Sequence, residues 1–276
     1  MALRALAIVL IVFGIGALAD VVVTLVWQEP FSALYAKLRQ DHLSGALAEV
    51  EREAPTRIEQ SQLVNLADVR RRVAFLAGSF EGRAEEGSAV GRIRIPRIGA
   101  DFVLVKGTST ADLESGPGIY SETVFPGMAG TTAIAGHRTT YLAPFRHIDQ
   151  LRKGNRVALD MPYAHFTYTV IAKRVVAPTD VDAAVGNVGY SRLVLSACTP
   201  LFSAAKRLLV YARLTRTDPV GAARLPAGAR PQGASEALTG DQLEQPASAR
   251  AAVKPRPSLP GVLEPVEPHL SSIPGE

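Results

Sequence analysis

Residues 5–27 leave this chain the fewest choices. Ala5 to Ala19 holds no polar side chain, Asp20 interrupts once, and Val21 to Trp27 resumes the apolar run. As a helix rising about 1.5 Å per residue, the stretch extends roughly 34 Å, enough to cross the hydrocarbon of a bilayer. Two readings follow. Ala17-Leu18-Ala19 before Asp20 has the small-residue pattern of a signal-peptide cleavage site. The run nevertheless continues past Asp20 to Trp27, an interfacial residue type, which favours an uncleaved anchor. Asp20 then lies near the headgroups or faces a partner, because an acid in mid-membrane is costly. Arg4 on one side and Lys37 and Arg39 on the other leave orientation open. Both readings export the bulk of the chain, so the expected location is the cell membrane, single-pass, with the remainder extracellular.

Export changes the meaning of Cys198, the only cysteine in 276 residues. Outside the cytoplasm paired cysteines become disulfides, and an unpaired one is either a small buried hydrophobe or a reactive thiol. Nucleic acid is not an expected partner. The net charge of +4 is mild and no basic block interleaves with aromatics.

Four segments are expected: an anchor at 1–30, a helical stalk and linker at 31–88, a strand-rich domain at 89–217 and a tail at 218–276. Phe31 to Arg52 and Arg57 to Ala77 carry apolar residues at helical spacing, with Pro55 between them and Gly78 as a stop. Arg70, Arg71 and Arg72 read as a solvated face, and Phe80 to Ser88 as a linker. Short runs of strand character follow at Gly91–Ile95, Asp101–Val105, Gly130–Gly136, Arg156–Leu159, His165–Val176, Leu193–Ala197 and Leu208–Leu214. About eight short strands with few helices between them argue for a barrel or a sandwich. Ten of the 19 prolines fall in the last 60 residues, among sparse apolar residues, so the tail reads as disordered.

Three chemically distinct residues stand at the ends of these strands. Cys198 closes the run Leu193-Val194-Leu195-Ser196-Ala197. His137 follows Ala133-Ile134-Ala135-Gly136, and Arg207 opens the run from Leu208. A cysteine attacks as its thiolate. Histidine takes the thiol proton and returns one to a leaving amine. Arginine keeps its charge and serves as a fixed donor to an oxyanion. His147 and His165 lack metal-ligand spacing, and the loop acids Asp112, Glu114 and Glu122 read as facing water, so neither metal nor cofactor is expected.

From about Val90 to Arg216 the sequence resembles the sortases, membrane-anchored cysteine transpeptidases of Gram-positive bacteria. Ala135-Gly136-His137-Arg138 looks like their histidine motif, and Leu195-Ser196-Ala197-Cys198 stands where they carry Thr-Leu-x-Thr-Cys. Arg207 follows the cysteine at a spacing the family uses. The segment His137 to Phe145 looks closest to class E, the actinobacterial housekeeping group. Val194 and Ala197 replace the two threonines of the family pattern. The resemblance implies a mainly β fold: a closed barrel of about eight strands, preceded by a transmembrane helix and helical stalk. It implies His137, Cys198 and Arg207 as catalytic residues, and Tyr141 and Ala197 as positions that bear on the substrate. It further implies cleavage of an LAxTG- or LPxTG-type sorting signal between Thr and Gly. Transfer then goes through a Cys198 thioester to an amine of a peptidoglycan precursor, anchoring surface proteins to the cell wall. The alternatives are another exported cysteine acyl-transferase, or a sortase-like scaffold with little activity, for which Ala197 is the best support.

Overall fold

The structure is a computed structural model that describes residues 2–27 and 30–224. Eight strands close into one barrel in the order β1-β2-β3-β4-β7-β8-β6-β5. They are β1 (Ala89–Ile95), β2 (Ala100–Lys106), β3 (Gly118–Ile119), β4 (Thr131–Ala135), β5 (Arg156–Met161), β6 (Ala164–Val176), β7 (Arg192–Thr199) and β8 (Lys206–Pro219). Neighbours are antiparallel except β2 with β3 and β4 with β7. The expected mainly β barrel is therefore the observed fold. Only the two-residue β3 escapes pattern reading, because a strand that short has no periodicity.

Alternation decides which side chains fill the barrel. In β1, Ile93 and Ile95 are fully buried, while Arg92 and Arg94 point outward to Asp101 and Asp160. In β7, Leu193, Leu195 and Ala197 belong to the interior core, whereas Val194 lies under a separate outer cluster. That cluster packs Ala184 of α6 (Val181–Val185) on Ala133, Val176 and Leu209. The long strands β6 and β8 pair from Ala164↔Pro219 to Val176↔Arg207, with register shifts at two points that bend them around the barrel.

Among the described residues, four helices precede the barrel. α1 (Ala2–Trp27) contains Leu3–Val22, a segment long and apolar enough to cross a membrane. The next three, α2 (Pro30–Glu53), α3 (Arg57–Leu63) and α4 (Val69–Arg83), do not stand off as a stalk. Leu43 and Leu47 of α2 pack on Ala89, Val103 and Val105. The Gln40 amide behaves as a missing strand: its oxygen accepts from Val103 N–H at 2.8 Å, and its nitrogen donates to the Val103 and Ser115 carbonyls. β2 needs this because it pairs with β3 at two positions only.

α4 carries Val73, Leu76, Ala77 and Phe80 into the core shared with the barrel interior. The predicted continuous helix from Arg57 breaks before Val69, where Asp68 caps α4 by accepting from Arg71 N–H at 2.9 Å. It then runs through Gly78 instead of stopping there. A mid-helix glycine costs about 1 kcal/mol, less than the roughly 1.5–3 kcal/mol from burying Phe80 two residues on.

The Arg70–Arg72 reading needs correction at one residue. Arg72 is buried, and its guanidinium donates to the carbonyls of Leu63 (2.6 Å), Leu66 (3.0 Å) and Ala222 (2.6 Å). It ties the α3–α4 junction to the segment after β8. For the same reason order does not end at residue 217: β8 reaches Pro219, and Ala223 is fully buried. The expected disorder of the tail falls, from residue 225, outside the described residues.

Candidate active site

Strand register brings the three candidates together. β4 and β7 run parallel with a constant offset, Thr131 opposite Arg192 and Ala135 opposite Ser196, which is 61 residues in each case. His137 and Cys198 continue the same offset just beyond the last pair. The spacing between histidine and cysteine is thus the register of two adjacent strands. β7 and β8 run antiparallel, and Cys198 lies directly opposite Arg207. Opposed residues on neighbouring strands share a face, with Cβ atoms about 4.5–5.5 Å apart. Thiol and guanidinium therefore occupy one face of the sheet.

A cleft of about 330 Å³ opens there, with His137, Arg138 and Thr139 on one side and Cys198, Pro200, Phe202, Ser203 and Ala204 on the other. Larger clefts of about 570 and 470 Å³ open elsewhere. Neither holds the chain's only thiol. Cys198 is half-buried and free. Arg207 donates to the carbonyls of Ala204 (3.0 Å) and Lys206 (3.3 Å), holding its guanidinium against the turn between β7 and β8.

His137 is positioned by a compact loop. Its carbonyl accepts from Phe145 N–H at 2.9 Å, and the intervening Tyr141, Leu142 and Ala143 all adopt left-handed backbone. Three consecutive non-glycine residues at positive φ cost of order 1–3 kcal/mol each and persist only where the surroundings impose them. Gly136 is required directly before His137, because a Cβ there meets the Phe145 ring at 2.7 Å. Burial lowers the His137 pKa below its ordinary 6.5, and the Glu114 carboxylate partly opposes this. At neutral pH the imidazole is consequently uncharged and ready to accept a proton. Its Nε2 is buried and has no hydrogen-bond partner among the described residues. The Tyr141 ring lies 5.2 Å from the imidazole, and its hydroxyl donates to Glu114 at 3.0 Å.

Tyr141 thus stands beside the site, but Ala197 does not. Ala197 is 3% exposed and sits in the barrel interior, opposite Leu208. Alternation along β7 aims it away from the face carrying Cys198. The expectation that residue 197 bears on the substrate through its side chain is corrected accordingly. Asp112 and Glu114 also do more than face water: Asp112 caps α5 (Thr110–Ser115) with Ser109, and Glu114 holds Tyr141.

Arg138 escaped the sequence reading. It is 5% exposed and bonded on both sides of the cleft. Only its position inside the histidine motif hinted at a role, since its partners, residues 146–149 and 198–199, are set by the fold.

Comparison with known proteins finds relatives over the barrel region. Residues 93–215 match the family described as the Sortase domain. The chain is 32% identical to Sortase D of Bacillus subtilis over 134 residues, 48% of this chain and 66% of that protein. It is 28% identical to Sortase SrtE1 of Streptomyces coelicolor over 153 residues, 50% of this chain and 44% of that protein. A solved sortase E from Streptomyces avermitilis is 32% identical, covering 51% of this chain and 99% of that one, with a TM-score of 0.45. The matches thus span just under two thirds of the first curated relative and under half of the second. The sequence match coincides with the barrel that carries His137, Cys198 and Arg207, and residues 93–215 form a sortase domain.

Proposed function

We propose that the chain is a membrane-anchored cysteine transpeptidase with Cys198 as nucleophile, His137 as acid and base, and Arg207 as oxyanion donor. The observation that carries this reading is the register: Cys198 opposite Arg207, and His137 on the continuation of the β4–β7 offset, with His137 and Cys198 lining one cleft.

In the first half-reaction Cys198 gives its proton to His137, and the thiolate attacks the carbonyl between Thr and Gly of a sorting signal. The developing oxyanion is met by the Arg207 guanidinium, which cannot lose its charge. The C–N bond breaks as His137 passes its proton to the departing glycine amine, leaving a thioester. In the second half-reaction an incoming amine attacks the thioester carbonyl, His137 takes the amine's proton, and the thiolate leaves. An uncharged imidazole at rest suits the first step.

The signal is of the LAxTG or LPxTG type, and the accepting amine belongs to a cell-wall precursor. Tyr141, beside the imidazole, contacts the second residue of the signal and favours Ala there, as fits class E of actinobacteria. α1 anchors the chain as a single span with the barrel outside the membrane.

The test is intact-mass analysis of the full chain in detergent, incubated with LAxTG and LPxTG peptides. The expected result is a thioester adduct released by a glycine-type amine and absent from Cys198→Ala. Folded protein with a titratable thiol that forms no adduct with either peptide refutes the reading.

A further inference from the structure

We propose that Arg138 is the positioning residue of this site, holding the segment that carries Cys198 against the loop that carries His137. The inference rests on the transpeptidase reading and extends it to a residue outside the three catalytic roles.

Backbone pairing between β4 and β7 stops short of the chemistry. Its last bond runs from Gly136 N–H to the Ser196 carbonyl at 3.1 Å. His137 and Cys198 both lie beyond it. The Arg138 guanidinium takes over at that point. On the cysteine side, Nη1 donates to the Cys198 carbonyl and the Thr199 hydroxyl, each at 3.3 Å. On the histidine side, Nη2 donates to Asp149 Oδ1 at 2.7 Å and to the Arg146 carbonyl at 3.2 Å, and Nε reaches the same carbonyl at 3.3 Å. All three nitrogens are used, and the two ends of the fork serve different segments.

A full charge at 5% exposure is costly unless paired and hydrogen-bonded, and here it is both. Geometry explains why the residue is arginine. A planar fork reaches two segments at fixed separation, whereas a lysine ammonium is a single point that serves one at a time. The carbonyl bound is that of Cys198 itself, so movement of the guanidinium moves the nucleophile's backbone. Arg138 also follows His137 directly in the chain, which couples the two side chains through one peptide unit.

The test compares Arg138→Lys, His137→Ala and the double variant in the full chain in detergent. Two rates are read: single-turnover thioester formation with the signal peptide, and alkylation of Cys198 by iodoacetamide at pH 7. Displacing reacting groups by about 1 Å costs up to about 10²-fold, so thioester formation in Arg138→Lys is expected to fall by one to two orders of magnitude at an unchanged thermal midpoint. The KM for the peptide stays within about twofold, because the lost interaction does not bind substrate. In alkylation, Arg138→Lys slows the reaction as His137→Ala does and adds nothing in the double variant, since both disturb the same placement of imidazole beside thiol.

Three results overturn the proposal while leaving the transpeptidase reading intact. They are a wild-type thioester rate in Arg138→Lys, a rise in KM alone, and equal slowing with and without His137. A wild-type chain that forms no thioester refutes the reading and the proposal with it. If Arg138→Lys does not fold, Asp149→Ala decides, because Asp149 is half exposed and removes only the outer partner of the guanidinium. It is expected to slow thioester formation about tenfold at constant KM, and a wild-type rate overturns the proposal.

Discussion

Replacing Gly136 by alanine tests how tightly the loop behind His137 is packed. The added methyl meets three ring carbons of Phe145 at 2.7, 2.9 and 3.1 Å, where ordinary contact begins at 3.4 Å. The ring or the end of β4 must therefore give by about 0.7 Å, the difference between 2.7 and 3.4 Å. Phe145 cannot simply withdraw: it is fully buried, and its N–H is bonded to the His137 carbonyl at 2.9 Å. Overpacking a well-filled interior costs about 1–3 kcal/mol. For a folded unit of this size, a cost of about 2 kcal/mol lowers the thermal midpoint by roughly 4–8 °C. Because the displaced residue adjoins His137, thioester formation also slows, by about tenfold for a shift of this size. Phe145→Leu relieves the clash at the cost of its own cavity. The double variant is accordingly more stable than the sum of the two single effects by about 1 kcal/mol or more. Thermal unfolding and single-turnover rates of the four chains measure both quantities. Strict additivity, or Gly136→Ala with an unchanged midpoint and rate, refutes the packing argument.

Glu114→Gln keeps an acceptor for the Tyr141 hydroxyl but removes the charge that opposes burial at His137, so the imidazole pKa moves further down. An NMR titration of His137 reads the shift, and an upward movement contradicts the assignment. The linkage has a definite sign: with the folded pKa below the unfolded value of about 6.5, stability from His137 is present above that pH. It is lost as pH falls through the folded value, and Glu114→Gln extends that window to lower pH. Arg72→Met leaves three carbonyls, one buried and two partly buried, without their donor and costs about 2–4 kcal/mol, while Arg71→Ala at the exposed neighbouring position leaves the thermal midpoint unchanged. Equal shifts in the two variants exclude the clamp.

Much of the fold was legible because its signals are local. The apolar run of α1 and the alternation in β1 and β7 depend on side chains a few residues apart, and physical chemistry reads them without the partners. The positions of Cys198, His137 and Arg207 at strand ends were legible in the same way, and strand register explains their spacing. A parallel pair with constant offset turns a spatial contact into a fixed number of residues. Tertiary structure alone decided the rest, because those contacts join segments whose separation carries no pattern. Arg72 reads like its neighbours until Ala222 supplies a carbonyl 150 residues away. Ala197 reads as a substrate position until β7 pleats it into the barrel. The helices of the supposed stalk carry ordinary amphipathic faces, and only the barrel shows what those faces bury. Arg138 is one more charge in the sequence, and it becomes a bridge across the cleft only where β4 and β7 stop pairing.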